Sequence, residues 1–356
     1  MQEFPKAIIM GLDELQEHYE CFEEIKLGAN GYLFFAQNKI SQKEVAIKFY
    51  YVGTGDRQHD EPRNLAAINS PNVLSILDAR LISKDWGYFI TPRCKEGDLD
   101  DLIRTFPSAH KAIDVAINIC HGLSAIHAQG MVHRDLKPGN IVLEDGIPKI
   151  ADFGSVRAFE EGQDITRASK HSILYRPPES FKSDEYSKRG DIYQIGLVLY
   201  QLLGGELSYN GEDYLNRQEV KEYNSLYDNI DRALYIDRII AARACEGKLI
   251  NLISLPPWVS LSVKKCINKL VDPDPDKRIG KISEASAYLS QVRTSMKNWK
   301  WSGNNVILID GDKFIEICPC KDGNYEAFQT RRGKGVKQRI RGVRPGNLHQ
   351  VIRQVK

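Results

Sequence analysis

The sequence predicts a two-lobed α+β chain: a small strand-rich lobe, a larger helical lobe and a short β-rich extension at the C-terminus. Three observations carry this prediction. Over the first hundred residues short apolar runs alternate with turn signals; from Lys111 the apolar spacing changes to three and four; beyond Lys297 short runs return between Asp-Gly turns. A length of 356 residues suits one bilobal body plus a small appendage. Hydrophobic content of 42% and charged content of 27% exclude a disordered or fibrous chain.

The elements follow in order. Residues 1–18 hold Glu3, Asp13, Glu14 and Glu17 and no basic stretch leading into an apolar core, so they are read as a lead-in without a secretory signal. Strands are expected at 21–27, 32–37, 44–51, 73–82 and 87–91, which sets the first lobe at 19–92. Between the third and fourth strands Leu65 and Ile68 recur at helical spacing until Pro71 stops the pattern. In the second lobe, 96–295, Ile113, Ala116, Ile117, Cys120, Leu123 and Ile126 mark an amphipathic helix that ends near Gly130. Further helices are expected at 192–203, 231–245, 261–270 and 282–296. The longest apolar stretch, 192–203, is interrupted by Gln194 and Gln201 and falls short of the ~20 residues a bilayer crossing needs. No membrane span and a cytoplasmic location are therefore expected. The seven cysteines are odd in number and scattered, the pattern of reduced thiols; Cys318 and Cys320 lack the second pair of a zinc site.

The chemistry concentrates after the amphipathic helix. His133-Arg134-Asp135-Leu136-Lys137-Pro138-Gly139-Asn140 is followed, twelve residues after Asn140, by Asp152-Phe153-Gly154. Two acids, an amide and a lysine are the side chains that phosphoryl transfer requires: an acceptor for the proton of the attacking hydroxyl, hard oxygen ligands for a divalent cation, and a cation against the developing phosphate charge.

On these residues the chain resembles the eukaryotic-type, or Hanks-type, serine/threonine protein kinase family, from about Tyr19 to about Val292. The resemblance implies the bilobal kinase fold, a domain over 19–295, ATP with Mg²⁺ (for which Mn²⁺ can substitute), and protein substrates with Ser/Thr acceptors. It makes Asp135 the catalytic base, Lys137 a contact to the transferred phosphate, and Asn140 and Asp152 the metal ligands. Val45-Ala46-Ile47-Lys48 resembles the family's phosphate-anchoring strand, with Glu61 as the ion-pair partner of Lys48. Pro177-Pro178-Glu179, Arg278 and Asp191 match further family positions. The 89–97 stretch resembles the adenine hinge, with Thr91 as a small gatekeeper and Pro92 and Cys94 along the adenine edge; Pro92 has only its carbonyl to offer. Ala46, Tyr32 and Phe35 are expected to border the nucleotide.

The glycine-rich loop, Leu27-Gly28-Ala29-Asn30-Gly31, departs from the pattern: Gly28 is in place, Asn30 stands for the second glycine and Leu33 for the third. Arg134, beside the catalytic acid, suggests a pocket for a phosphorylated activation segment. Thr166, Ser169 and Ser172 are the candidate phosphosites, with Ser172 nearest the reacting centre. Two other readings compete: a pseudokinase scaffold, against which stands the full set Lys48, Asp135, Asn140 and Asp152, and a small-molecule phosphotransferase of the same fold, against which stand Arg134, Lys137 and Pro178-Glu179.

Residues 297–356 carry thirteen Lys/Arg against five Asp/Glu, although the whole chain is only +2. Strands are expected at 305–310, 314–318 and 325–330 with Asp-Gly turns, then a terminal helix carrying Leu348, Val351, Ile352 and Val355. The run 331–344 has seven Lys/Arg and no acid, with Lys337, Arg339 and Arg341 on one strand face. Two expectations follow for it: recruitment of nucleic acid or an acidic partner, or, preferred because no aromatic residue is interleaved, a basic sheet packed on the acidic body.

Overall fold

The computed structural model describes residues 4–25, 31–52, 61–160, 162–169, 172–331 and 334–355, with the backbone alone at 331 and 334–336. The chain opens with helix α1 (Lys6–Leu15), then β1 (Tyr19–Ile25), β2 (Tyr32–Asn38), β3 (Glu44–Tyr51), α2 (Glu61–Ala66), β4 (Asp78–Leu81) and β5 (Trp86–Pro92). The strands form one antiparallel sheet in the order β1-β2-β3-β5-β4. Its alternation sorts the side chains. Phe34, Ala36, Val45, Ile47, Phe49, Tyr88 and Ile90 point to an outer face, where Ile8 and Leu15 of α1 cover them. The expected lead-in thus contains a helix, which supplies Ile8 and Leu15 to that small core. Ala46, Lys48, Phe89 and Thr91 point the other way, in register as Ala46 opposite Thr91 and Lys48 opposite Phe89.

The second lobe starts with α3 (Leu99–Arg104) and α4 (Ala109–Ala128), capped by Asp98 and Ser108, whose side chains accept from the backbone N–H three residues on. Strand β6 (Met131–Val132) leads into the 133–140 loop, and the hairpin of β7 (Ile141–Glu144) and β8 (Ile147–Ile150) turns on Asp145 and Gly146, both at positive φ. Strand β9 (Arg157–Ala158) pairs with β6, and β10 (Thr166–Arg167) with β11 (Glu185–Tyr186), which follows α5 (Glu179–Lys182). Helix α6 (Lys188–Leu202) runs through the centre, and Gly190 through Leu202 are all buried in it. Around it lie α7 (Arg217–Ser225), α8 (Asn229–Cys245), α9 (Leu261–Leu270) and α10 (Ile282–Ser295).

The extension is a five-stranded antiparallel meander, β12 (Asn298–Ser302), β13 (Asn305–Asp310), β14 (Lys313–Pro319), β15 (Tyr325–Arg331) and β16 (Lys334–Arg339), closed by α11 (Leu348–Gln354). Its apolar face joins the kinase-like body through Trp258, which stacks on Trp299 and meets Trp301 edge-on. The expected basic face is partly neutralised from within: Lys337 pairs with Glu316, Arg339 with Glu326, and Arg341 lies past the end of β16. Among the described residues no helix is long and apolar enough to cross a membrane.

Close approach fixes one residue of α6. A β-carbon on Gly196 would stand 2.6 Å from Val271 Cγ1 and 2.7 Å from Leu270 Cβ. Gly196→Ala is therefore expected to destabilise the protein by about 1–3 kcal/mol, because overpacking outweighs the gain in helix propensity. A lowered urea midpoint at unchanged slope is the predicted readout; an unchanged or raised midpoint would show that α6 and α9 can separate without cost.

Candidate active site

The cleft between the lobes is built outward from Asp191, which is fully buried near the start of α6. Its Oδ2 accepts from the His133 N–H at 3.0 Å and sits 2.7 Å from His127 Nε2; its Oδ1 accepts from the Arg134 N–H at 3.0 Å and the Tyr186 hydroxyl at 2.8 Å. Burial alone would raise its carboxyl, but His127 and His133 outweigh that and hold it below the ordinary carboxylate range. With its amide so bound, Arg134 adopts a left-handed φ of 68°. Gln194, one turn further along α6, accepts from the Leu136 N–H at 2.8 Å. Two side chains of one central helix thus set the backbone of the loop.

That backbone presents Asp135 to the cleft. Asn140 Nδ2 donates to its backbone oxygen at 2.7 Å and to Oδ2 at 3.1 Å, and Lys137 Nζ donates to the same Oδ2 at 2.9 Å. Oδ1 is buried and has no hydrogen-bond partner among the described residues. A buried carboxylate oxygen left open is costly unless something donates to it in use. Lys137 Nζ also donates to Ser172 Oγ at 2.9 Å, tying the activation segment to the same point.

Across the cleft, Lys48 Nζ lies 2.9 and 2.8 Å from the two carboxylate oxygens of Glu61 and 3.4 Å from Asp152 Oδ1. Burial opposes the charge on Lys48, yet Glu61 and Asp152 together raise its pKa. Asp152, at φ 55°, feels burial first and Lys48 and His133 against it, with the net effect that its carboxyl is lowered. Phe153 is locked beneath, its ring edge-on to His133 at 5.5 Å. Asn140 spends its amide nitrogen on Asp135, which leaves its oxygen for a cation. Among the described residues no group of three or more metal-ligating side chains occurs. The oxygens of Asp152 and Asn140 are hard donors, the kind that suit a divalent cation keeping phosphate oxygens and water in its shell.

A search with family models matches the protein kinase domain over residues 19–291. The chain belongs to the protein kinase family. Its relatives include a probable serine/threonine-protein kinase of Corynebacterium efficiens, 29% identical over 213 residues, or 56% of this chain and 32% of the relative. Serine/threonine-protein kinase PknB of Mycobacterium tuberculosis is 28% identical over the same share of this chain and 34% of its own length. The interferon-induced, double-stranded RNA-activated protein kinase of Mus musculus is 33% identical over 279 residues, 69% of this chain and 52% of that protein. The chain thus spans about a third of the bacterial relatives it matches.

Within the kinase domain most expected residues converge. Asp135, Lys137, Asn140, Asp152, Lys48 and Glu61 meet in one cleft, and Thr91 and Ala46 form its roof beside Lys48. Pro92 ends β5; the Arg93 N–H donates to the Glu44 backbone oxygen at 3.2 Å, and burial pushes the Cys94 thiol up to about 11. Phe35 shares the cleft-side face, where the Arg93 guanidinium lies over its ring at 4.0 Å. Tyr32 is a correction: two residues before Phe34, its ring shares the outer face and packs on Phe4 and Trp86, so only its backbone can border a nucleotide. Leu27, Gly28, Ala29 and Asn30 lie outside the described residues. Gly31 follows them at φ 133°, and a β-carbon there would meet the Phe49 backbone oxygen at 2.3 Å. Sequence reasoning missed His127, Tyr186 and Gln194, which touch the loop from far along the chain.

Removing the amine of Lys48 tests this cleft without reference to turnover. Lys48→Met is expected to weaken Mg-ATP binding by about 1.5–3 kcal/mol, the usual worth of hydrogen bonds to charged groups, as read by titration calorimetry. Unchanged affinity would place the phosphates elsewhere.

Proposed function

We propose that the chain is an ATP-dependent serine/threonine protein kinase that transfers the γ-phosphate of Mg-ATP to Ser/Thr hydroxyls of protein substrates, itself included. One observation carries the reading: Asp135 Oδ1 is buried and open while Oδ2 is held by Lys137 and Asn140. The relatives named as serine/threonine kinases support the same class.

The substrate hydroxyl donates to Asp135 Oδ1, which orients its oxygen towards the γ-phosphorus and takes its proton. The new O–P bond forms as the bond from the γ-phosphorus to the bridging oxygen breaks, and ADP leaves with that electron pair. Lys137, next to Asp135, offers its charge to the transferred phosphoryl group. Lys48 anchors the remaining phosphates and is kept cationic by Glu61. Asp152 and Asn140 would hold a Mg²⁺ or Mn²⁺ ion, which would neutralise charge on the phosphates. A complete set of such groups with an assembled ion pair favours an enzyme over a pseudokinase scaffold, and Arg134, Lys137 in contact with Ser172, and Glu179 paired with Arg278 favour it over a small-molecule phosphotransferase.

Self-phosphorylation would fall on Thr166 or Ser169. Arg134 donates to the backbone oxygens of Ser155 and Arg167, both at 2.6 Å, and burial together with nearby Arg157 lowers its own pKa to about 10. The Arg134 guanidinium beside Arg167, with Arg157 near it and no carboxylate bonded to it among the described residues, favours a phosphate there. Ser172, bonded to Lys137, occupies the reacting centre and is a poor place for a lasting phosphate. The sequence character also suggests a cytoplasmic protein. For the extension, Lys337 and Arg339 already have acidic partners, which favours packing on the body over recruitment of nucleic acid or an acidic partner.

Incubation with radiolabelled Mg-ATP and a basic protein is expected to label the protein and the substrate on serine or threonine. Asp135→Asn is expected to reduce transfer by at least about a hundredfold while nucleotide still binds. Equal labelling by this variant would remove Asp135 as the base; labelled tyrosine alone would overturn the residue class. Peptide mapping is expected to place the self-label at Thr166 or Ser169, and a label-free activation segment in an active enzyme would remove that part.

A further inference from the structure

Where the end of α4 meets the starts of α6 and α10 lies a cavity of about 490 Å³. This volume is in the range of small-molecule sites, and none of the residues placed around ATP lines it. Its wall includes His127 from α4, Lys188 and Arg189 from α6, and Lys281, Ile282 and Ser283 at the start of α10.

Charge, backbone and one buried ring each point to an anion. The three cations face a single acid, Asp164 of the activation segment. Arg189 is already committed, its Nη1 donating to Asp276 and to the Pro275 backbone oxygen. The ammonium groups of Lys188 and Lys281 pair with no carboxylate among the described residues; Lys188 Nζ lies 5.8 Å from the centroid of the Phe159 ring. The two helix starts differ. Ser187 caps α6, its hydroxyl accepting from the Arg189 N–H at 3.2 Å. Helix α10, 14 residues long, has Lys281 at its N-cap, a side chain with no oxygen to offer, and the N–H groups of Ile282 and Ser283 meet no acceptor among the described residues. Open N–H groups at the positive end of a helix attract anions. His127 is the third observation. Its side chain is only 7% exposed; Nε2 is 2.7 Å from Asp191 Oδ2, and Nδ1 has no partner among the described residues. A phosphate suits this nitrogen in either state, because its oxygens accept from a protonated Nδ1 and its hydroxyl donates to a neutral one.

We propose that this cavity binds a phosphate monoester on a compact polar body, with Lys188 and Lys281 as its charge partners and the start of α10 as its backbone cradle. The cavity is roomier than a phosphate group alone, and the hydroxyls of Ser124 and Ser283 in its wall suit a polar body. The ester can be a free phosphorylated small molecule or a phosphorylated serine of a peptide. The site adjoins the catalytic machinery at one point: the His127 ring stands between it and Asp191, which sets the 133–140 loop. The proposal does not rest on kinase activity, and its test needs neither ATP nor transfer.

Titration calorimetry on the full chain, at fixed ionic strength, would use glycerol 3-phosphate and N-acetylphosphoserine amide, each beside its unphosphorylated counterpart, glycerol and N-acetylserine amide. At least one ester is expected to bind saturably, at one per chain and about tenfold or more tighter than its counterpart. The tighter of the two identifies the free or the peptide-borne source. Lys188→Gln and Lys281→Gln are each expected to weaken that binding about threefold or more, and together about tenfold or more, with the thermal transition of each variant confirming a folded chain. Lys48→Met, which alters the nucleotide cleft, is expected to leave it unchanged. Absence of binding up to millimolar ester, equal binding of the unphosphorylated counterparts, binding unchanged in the double variant, or binding lost in Lys48→Met would overturn the proposal.

Discussion

The 133–140 loop, on which the cleft's Asp135 sits, depends on one carboxylate that never meets solvent. Asp191 gathers two backbone amides, a histidine and a tyrosine hydroxyl around its two oxygens. A buried charge of this kind is tolerable only when fully hydrogen-bonded, and removing its partners one at a time leaves the rest worse off than before. The consequence is a rigid 133–140 loop hung on the most buried helix of the protein. Arg134 is forced into the left-handed region, which costs local energy that the Asp191 bonds offset. That kink directs Asp135 into the cleft and Arg134 towards the activation segment.

The second lobe would hold only half a site without the strand lobe. Lys48 is the bridge: it reaches Glu61 on α2 and Asp152 below β8, so sheet, helix and the start of the activation segment converge on one ammonium. The electrostatics are reciprocal. Asp152 and Glu61 keep Lys48 charged against its burial, and Lys48 keeps Asp152 ionised against its own. As the Asp152 carboxyl is held below its ordinary value, the stability it contributes is present above the ordinary carboxylate pKa and is lost as pH falls through the lower, folded value. On the far side, the bidentate Arg278–Glu179 pair, at 2.7 and 2.6 Å, and Arg278 over Tyr193 clamp the end of the activation segment to α6 and the 272–278 turn.

Much of this was legible because the signals are local. The expected strand at 44–51 and helix at 261–270 coincide with β3 and α9 end for end, since Val45, Ile47 and Phe49 alternate along one and a Ser-capped apolar stripe marks the other. That Asp135, Lys137, Asn140 and Asp152 meet in one cleft was legible because their spacing is fixed by a short loop and a hairpin. What was not legible needs three dimensions. His127 and Tyr186 reach Asp191 only because α4 and β11 fold against α6. The ring of Tyr32 was assigned to the cleft because it follows the glycine loop, but strand alternation with Phe34 and Ala36 turns it to the outer core. Helix α1 has Ile8, Leu12 and Leu15 at helical spacing, a pattern that sits beside charged residues and was read only for targeting. Strand β12, Asn-Trp-Lys-Trp-Ser, was missed because its strand character comes from packing Trp299 and Trp301 on Trp258 of the other domain.

Asp191→Asn keeps size and one acceptor oxygen but removes the charge that satisfies two amides, a histidine and a tyrosine at once. Steady-state kinetics of phosphate transfer with this variant, on protein whose circular dichroism matches the parent, is the most direct measurement of whether the buried carboxylate governs the site. The account predicts a kcat lower by about a hundredfold or more with KM for ATP within a few-fold, because Lys48, Glu61 and Asp152 are held independently of it. A folded variant with unchanged kcat would contradict the dependence of the catalytic loop on Asp191.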